Sequence, residues 1–269
     1  MSDPKRRAVV PDEVSPPGPH AGWWHERSAI GLATVLDARR VRHWRTPRHE
    51  IELLSHDRLG WALALDGLLL HVEQDPAPRE MLAHVPLVGR AHAAARVLIV
   101  GGGDGCVLHE VLKHAVAQVD VVEPEPALRE LPPLLGLAAA VSDARVAFHD
   151  ALPPGPRWDV VLLARPLLPI SALGPRLCAG GVIAEWDVAV LGREQRRWLR
   201  RGAPAERLAH EQRYVAACAL AQGGLLGFSL HTDGAASHAE PQRDFEADHY
   251  NADLHRAAFA LPACWSELR

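Results

Sequence analysis

The sequence predicts an α/β protein, a mainly parallel, doubly wound sheet preceded by a small β domain. Three observations carry that expectation. The stretch Arg96–Gly105, "RVLIVGGGDG", is a short apolar run that stops in glycines and an acid. Beyond it, apolar runs alternate with segments of helical spacing or loop. Before it, residues 21–90 read as strands joined by polar turns.

Taken in order, residues 1–20 ("MSDPKRRAVVPDEVSPPGPH") are charged and proline-rich, the composition of a disordered tail. "HEIELLSH" and "GWALALDGLLLHVE" are strand-compatible, and Asp66-Gly67 marks a hairpin because Asp-Gly readily takes positive φ. "PREMLAHVPLV" reads as a short helix leading to the next unit, and the N-terminal β-strand domain is expected over 21–90. Residues 91–269 form the second unit. "RVLIV" is continuously apolar, as a strand buried on both faces requires. "CVLHEVLKH" places its apolar residues at helical spacing. "QVDVVEPE", "ARVAFHDA", "WDVVLLARPLLP" and "GGVIAEWDV" supply four further strands, and "HYNADLHRAAFALP" a last short helix or strand.

Bulk properties exclude several classes. The chain has 269 residues, 48% hydrophobic and 23% charged, with net charge −4. That balance disfavours a nucleic-acid backbone binder. No apolar run approaches the roughly 20 residues needed to span a bilayer, and the first residues lack the apolar core of a secretory signal. A cytoplasmic protein without membrane or nucleic-acid partners is expected. Four widely spaced cysteines show no CxxC, and 16 histidines form no HExxH or HxH pattern, so no metal site is expected.

The glycines speak to chemistry. In an open α/β sheet ligands bind at the carboxyl ends of strands. There, Gly101, Gly102, Gly103 and Gly105 let the backbone approach a ligand closely. Asp104, held among them, can reach a ligand ammonium. Glu123 ends the second strand, placed to accept from two ribose hydroxyls. Asp150 ends the third, placed to accept from an exocyclic adenine amine, with Ala151 offering its backbone N–H. Together these read as a nucleoside site. A carboxylate where a pyrophosphate would lie repels phosphate. It suits the sulfonium and ammonium of S-adenosylmethionine (or its decarboxylated form).

With those residues in view, the chain resembles the spermidine synthase family of polyamine aminopropyltransferases. The matching stretches are "LDG", "EMLAHVPL", "VLIVGGGDG", "EVLKH", "VVEPE", "DARV", "HDA", "GGLLGFSL" and "YNADLHRAAFALP". The resemblance covers about residues 22–265. It implies a Rossmann-like, class I S-adenosylmethionine-dependent methyltransferase fold with a small N-terminal β domain, and a homodimer or higher oligomer. It implies that Asp104 meets the donor's amine, Glu123 the ribose, and Asp150 with Ala151 the adenine.

The departures fall on the acceptor side. The family's fourth strand ends in D-[ST]-[ST]-D-P; here the two Asp positions are Ala164 and Leu167, with Arg165 between them. The family's Tyr-His/Gln-Glu reads Pro78-Arg79-Glu80, its two nearby glutamines are His49 and Leu70, and its Pro-Thr-Tyr-Pro gate begins at Ala219. An amine nucleophile must lose a proton and a dicationic acceptor needs anions, so the sequence predicts a transferase that is not a genuine spermidine synthase. Intact S-adenosylmethionine is its expected donor, through methyl or aminocarboxypropyl transfer or internal cyclisation or elimination. Glu80, His49 and Arg165 are the catalytic candidates, with His71 a further acid–base candidate. Arg165 or Arg79 is suited to the donor's carboxylate. Two alternatives stay open: an aminopropyltransferase with an unusual acceptor, and a non-catalytic nucleoside-binding protein.

Overall fold

A computed structural model describes residues 23–26, 34–88, 90, 95–155, 157–189, 208, 210–219, 224–234 and 245–261. The tail expected over 1–20 lies outside them. Strands β1 (Trp24–His25) and β2 (Val35–Leu36) form a small antiparallel pair. Strands β3 (Arg39–Arg45), β4 (Glu50–His56), β5 (Gly60–Leu65) and β6 (Leu68–Val72) follow as an antiparallel meander in that order. The β5–β6 hairpin turns on Asp66 (φ 54°) and Gly67 (φ 79°). Both central residues are left-handed, as a two-residue hairpin turn demands.

Strand β6 carries an irregularity. Leu63 pairs with His71 but Ala64 pairs with Leu69, so Leu70 is one residue too many. Past this bulge, Leu70 and His71 both face the second unit. Leu70 packs with Ile51, Leu63, Cys106 and Leu128, and His71 reaches Asp104.

Helix α1 (Ala77–Leu87) then leads into a seven-stranded sheet. Its strands are β7 (Arg96–Val100), β8 (Gln118–Val122), β9 (Val146–His149), β10 (Trp158–Leu163), β11 (Leu177–Ala189), β12 (His210–Ala217) and β13 (Leu225–Thr232). The order is β12-β13-β11-β10-β7-β8-β9. Strands β7 to β11 run parallel, and β13 inserts antiparallel between β11 and β12. The connecting helices α2 (Cys106–Leu112), α3 (Pro126–Arg129), α4 (Ala138–Val141) and α5 (Ile170–Leu173) are short, and α6 (Ala252–Ala258) closes the described chain. None is long and apolar enough to cross a membrane among the described residues.

The unbroken apolar runs are explained by burial on both faces. On β7, Val97 and Ile99 enter one core while Leu98 and Val100 enter the other. Helix α1 belongs with the large sheet. Met81, Leu82, Ala83, Val85 and Leu87 pack with Val97, Val107 and Tyr214. Within the stretch 21–90, strands β3 to β6 thus form the meander while α1 packs on the large sheet.

A buried polar network ties α1 to α2. Nitrogens His84 Nδ1 and His114 Nε2 are 2.9 Å apart. His84 Nε2 lies 3.2 Å from Glu110 Oε2, Lys113 Nζ 2.6 Å from it, and Arg79 Nε 3.7 Å from Glu110 Oε1. Phe245 and Tyr250 close over the His84 ring. Burial, then the charge of His84, pull His114 down to about 3 from its ordinary 6.5. Burial pushes Glu110 upward, but His84 and Lys113 outweigh it and hold the carboxyl at about 2, below its ordinary 4.5.

Both groups are depressed in the folded state, so each contributes stability that is lost on acidification. The expected outcome is a urea midpoint that falls as pH drops below 6.5, through His114, and falls further below 4.5, through Glu110. Denaturation titrations from pH 7.5 to 3 check this, and a flat midpoint between pH 6.5 and 4.5 contradicts it.

Candidate functional site

The site forms where the direction of strand order reverses, at the carboxyl ends of β7 and its neighbours β8 and β10. The glycine turn is shaped as much by side chains as by any ligand. A Cβ on Gly101 (φ 71°) would lie 2.7 Å from the Arg165 Cβ, and one on Gly103 would lie 2.4 Å from the Glu123 Cγ. Gly102 (φ 109°) and Gly105 (φ 82°) hold left-handed backbone, and Gly105 starts α2. The bare backbone thus admits Arg165 and Glu123 from the two neighbouring strand ends.

Asp104 is buried at the bend. Its Oδ1 accepts from the Cys106 N–H at 2.9 Å, while its Oδ2 is buried without a hydrogen-bond partner. His71 Nε2 stands 3.7 Å from Oδ1. Burial lowers His71 to about 4 from its ordinary 6.5 against the opposing pull of Asp104.

Glu123 is fully buried and spoken for. Arg165 Nη2 bonds both its oxygens. The Gly103 N–H donates to Oε2 at 3.2 Å and the Glu125 N–H to Oε1 at 3.0 Å. Arg165 is itself only 6% exposed and is pinned by its N–H to the Val100 carbonyl at 3.0 Å. The guanidinium expected to face a donor carboxylate therefore lies in the site, but bound to the residue expected to hold ribose.

At the next strand end, Asp150 and Ala151 are exposed at the rim. Asp150 bonds Arg129 at 2.8 Å. Arg129 also donates to the carbonyls of Glu123 and His149, clipping β8 to β9. No sequence spacing singled out Arg129.

His49 Nδ1 is 2.8 Å from Asp66 Oδ2, in the hairpin turn. Partial burial raises Asp66, but the Glu50 N–H, His49 and the Arg165 charge together hold it below the ordinary carboxylate range. The hairpin turn therefore brings His49 and Asp66 into the field of Arg165. Thr46, three residues earlier, donates to Glu125 at 2.9 Å and fastens this strap to the large unit.

Glu80 corrects an expectation. Its carboxylate, 1% exposed, accepts the backbone N–H groups of Asp248 (3.0 Å), His249 (2.9 Å) and Tyr250 (2.7 Å). With both oxygens engaged by three donors it is an anchor for the segment before α6, not an available base. Arg79 is also committed, to the carbonyls of Val72, Glu73 and Asp75. Ala164 and Leu167 sit in or against the large-sheet cores, and Leu70 packs against the core between the two units. A separate cleft of about 900 Å3 is walled by Glu73, Asp75, Arg79, Cys218, Ala219 and His249.

A sheet of this order, with a glycine-rich turn and strand-end acids at its switch point, defines the Rossmann-like, class I methyltransferase architecture with an N-terminal β domain. The comparisons with known proteins narrow the class. Residues 76–128 match the spermine/spermidine synthase domain family. Over 103 residues the chain is 39% identical to the polyamine aminopropyltransferase of Pectobacterium atrosepticum, an alignment covering 37% of this chain and 36% of that protein. Over 270 residues it is 26% identical to the polyamine aminopropyltransferase of Shouchella clausii, covering 89% and 96%. Among solved structures it resembles spermidine synthase from Thermotoga maritima (22% identity, TM-score 0.80, covering 98% and 99%). It also resembles a spermidine synthase in complex with the transition-state analogue AdoDATO (23%, TM-score 0.82, covering 97% and 99%). The resemblance to the spermidine synthase family read from the sequence is borne out by domain, relatives and fold.

Two substitutions probe these assignments by chemical denaturation. Arg165→Met leaves the Glu123 carboxylate buried without its cation and is expected to cost about 3–5 kcal/mol; adding Glu123→Gln recovers most of it. Glu80→Gln turns an amide donor toward backbone donors and is expected to cost about 2–3 kcal/mol. A neutral result in either case removes the corresponding role.

Proposed function

We propose that this chain is an S-adenosylmethionine-dependent transferase of spermidine-synthase-like fold that does not make spermidine and acts on the intact donor. The observation that carries the reading is Arg165. A buried guanidinium stands at the end of β10, flanked by Ala164 and Leu167, where a polycationic acceptor would need carboxylates. Paired with Glu123 it offers a polyamine no anion, and once its partner is exchanged it suits a ligand that brings its own carboxylate.

In this reading the donor ammonium meets the free Oδ2 of Asp104, and the donor carboxylate takes over the Arg165 guanidinium. Glu123, released, accepts from the ribose hydroxyls. Asp150 and Ala151 take the adenine at the rim. The nucleophile attacks a carbon on the sulfonium, the C–S bond breaks, and its electron pair stays on sulfur. Attack on a sulfonium asks mainly for positioning and water exclusion. With Glu80 committed elsewhere, His49, its Nδ1 held by Asp66, is the proton acceptor. The protein works in the cytoplasm as a homodimer on a small-molecule substrate.

A second reading has a specific support. The relatives aligned along most of the chain are named polyamine aminopropyltransferases, which favours transfer of an aminopropyl group from the decarboxylated donor to an unusual acceptor.

Incubation with each donor, followed by mass spectrometry, tests both. The expected outcome is turnover of intact S-adenosylmethionine, to S-adenosylhomocysteine if methyl leaves and to methylthioadenosine if the carbon arm leaves, with no spermidine from putrescine. Methylthioadenosine from the decarboxylated donor alone selects the second reading. Calorimetric binding with neither product leaves a nucleoside-binding protein, and an Arg165→Asp variant that gains putrescine affinity supports the electrostatic account.

A further inference from the structure

Beneath the glycine turn, three chemically distinct side chains converge from both units of the fold. His71 comes from β6, past its bulge; Asp104 from the turn; Cys106 from the first residue of α2. All three are buried, and their potential ligand atoms lie within 4.8 Å of one another. Asp104 Oδ2 and His71 Nδ1 are both buried without hydrogen-bond partners. Orphaned buried polar atoms are costly; Asp104 Oδ2 is one, the His71 ring faces that carboxylate through Nε2, 3.7 Å from Oδ1, and Cys106, in no disulfide, stands beside it.

We propose that His71, Asp104 and Cys106 form a binding site for a thiophilic divalent cation of the zinc type. Imidazole, carboxylate and thiolate are the donor types such an ion takes. The charges also close: a carboxylate and a thiolate offset the two positive charges, while the imidazole stays neutral. Burial and then Asp104 push the thiol well above its ordinary value when no metal is present. On binding, the ion displaces the Cys106 proton to solvent and forms the metal–sulfur bond. Three protein ligands leave a fourth position open. Glu110 adds negative charge to the surroundings of Cys106, and Arg79 opposes it. The cation and a ligand ammonium would compete for the same oxygen of Asp104.

The test uses the purified full chain, freed of metal with a chelator and titrated with cobalt(II) and zinc(II). The expected result is one equivalent bound, a near-ultraviolet thiolate-to-cobalt band, and displacement of cobalt by zinc. Cys106→Ser abolishes the band, while Cys178→Ser and Cys218→Ser keep it. His71→Gln weakens zinc binding by at least the roughly 100-fold that loss of even a supporting partner can cause. X-ray absorption on the zinc-loaded unmodified chain gives one sulfur ligand with nitrogen and oxygen, a reading that holds whether or not a variant folds. An all-nitrogen/oxygen shell, or a band that survives Cys106→Ser, overturns the proposal. Nucleoside binding is measured separately in metal-free protein, so its failure leaves this result standing, and the reverse.

Discussion

Placing a guanidinium and a carboxylate together out of water is expensive unless each is met by further partners. Glu123 and Arg165 meet that condition through a backbone arranged around them. Two N–H groups, from Gly103 and Glu125, converge on the carboxylate, and the Arg165 main chain is tied to the end of β7. The glycines at 101 and 103 exist, in steric terms, because these two side chains lie against them. Three strand ends are thereby locked into one arrangement. Whatever enters the site must work with this pair, either by exchanging partners with it or by stacking beside it.

The two sheets depend on each other through the same region. The core shared by Ile51, Leu63 and Leu65 of the meander with Cys106, Leu128 and Leu131 of the large unit lies directly behind the glycine turn. The Thr46–Glu125 bond and the Arg48 bond to the Pro124 carbonyl fix the meander's entry strap to the loop after β8. The hairpin turn is thus held over the site by packing on one side and hydrogen bonds on the other.

Much of this was legible from residue order alone. The parallel strands declare themselves because burial on both faces leaves no alternation, and Asp66-Gly67 because few dipeptides accept two left-handed residues. The acids at strand ends were readable because an α/β sheet puts its ligands there. What was hidden is long-range. Glu80 looked like a base by local similarity, yet its partners lie about 170 residues away, at Asp248 to Tyr250. Strand β12 has mixed polarity, and only pairing with β13 makes it a strand. Helix α1 is readable as the lead into the next unit, but its packing on Val97, Val107 and Tyr214 is not, because sequence proximity says nothing about which sheet an apolar stripe will choose. Arg165 was suspected of facing the cleft, but its choice of Glu123, 42 positions earlier, rests on the crossover geometry that puts β8 and β10 on either side of β7.

The extra residue in β6 has an evolutionary corollary. Side chains on a strand alternate, so replacing one amino acid by another changes what a face carries but never which face carries it. Gain or loss of a position is another matter, and here the spare residue absorbs it: with Leu70 outside the ladder, Leu63 faces His71 and Ala64 faces Leu69 whether the extra position is present or not. The orientation of His71 toward Asp104 is thus buffered against a one-residue change at the bulge. A lineage that trimmed the arm by that surplus codon would keep His71 opposite Leu63 and lose only the apolar contact that Leu70 makes.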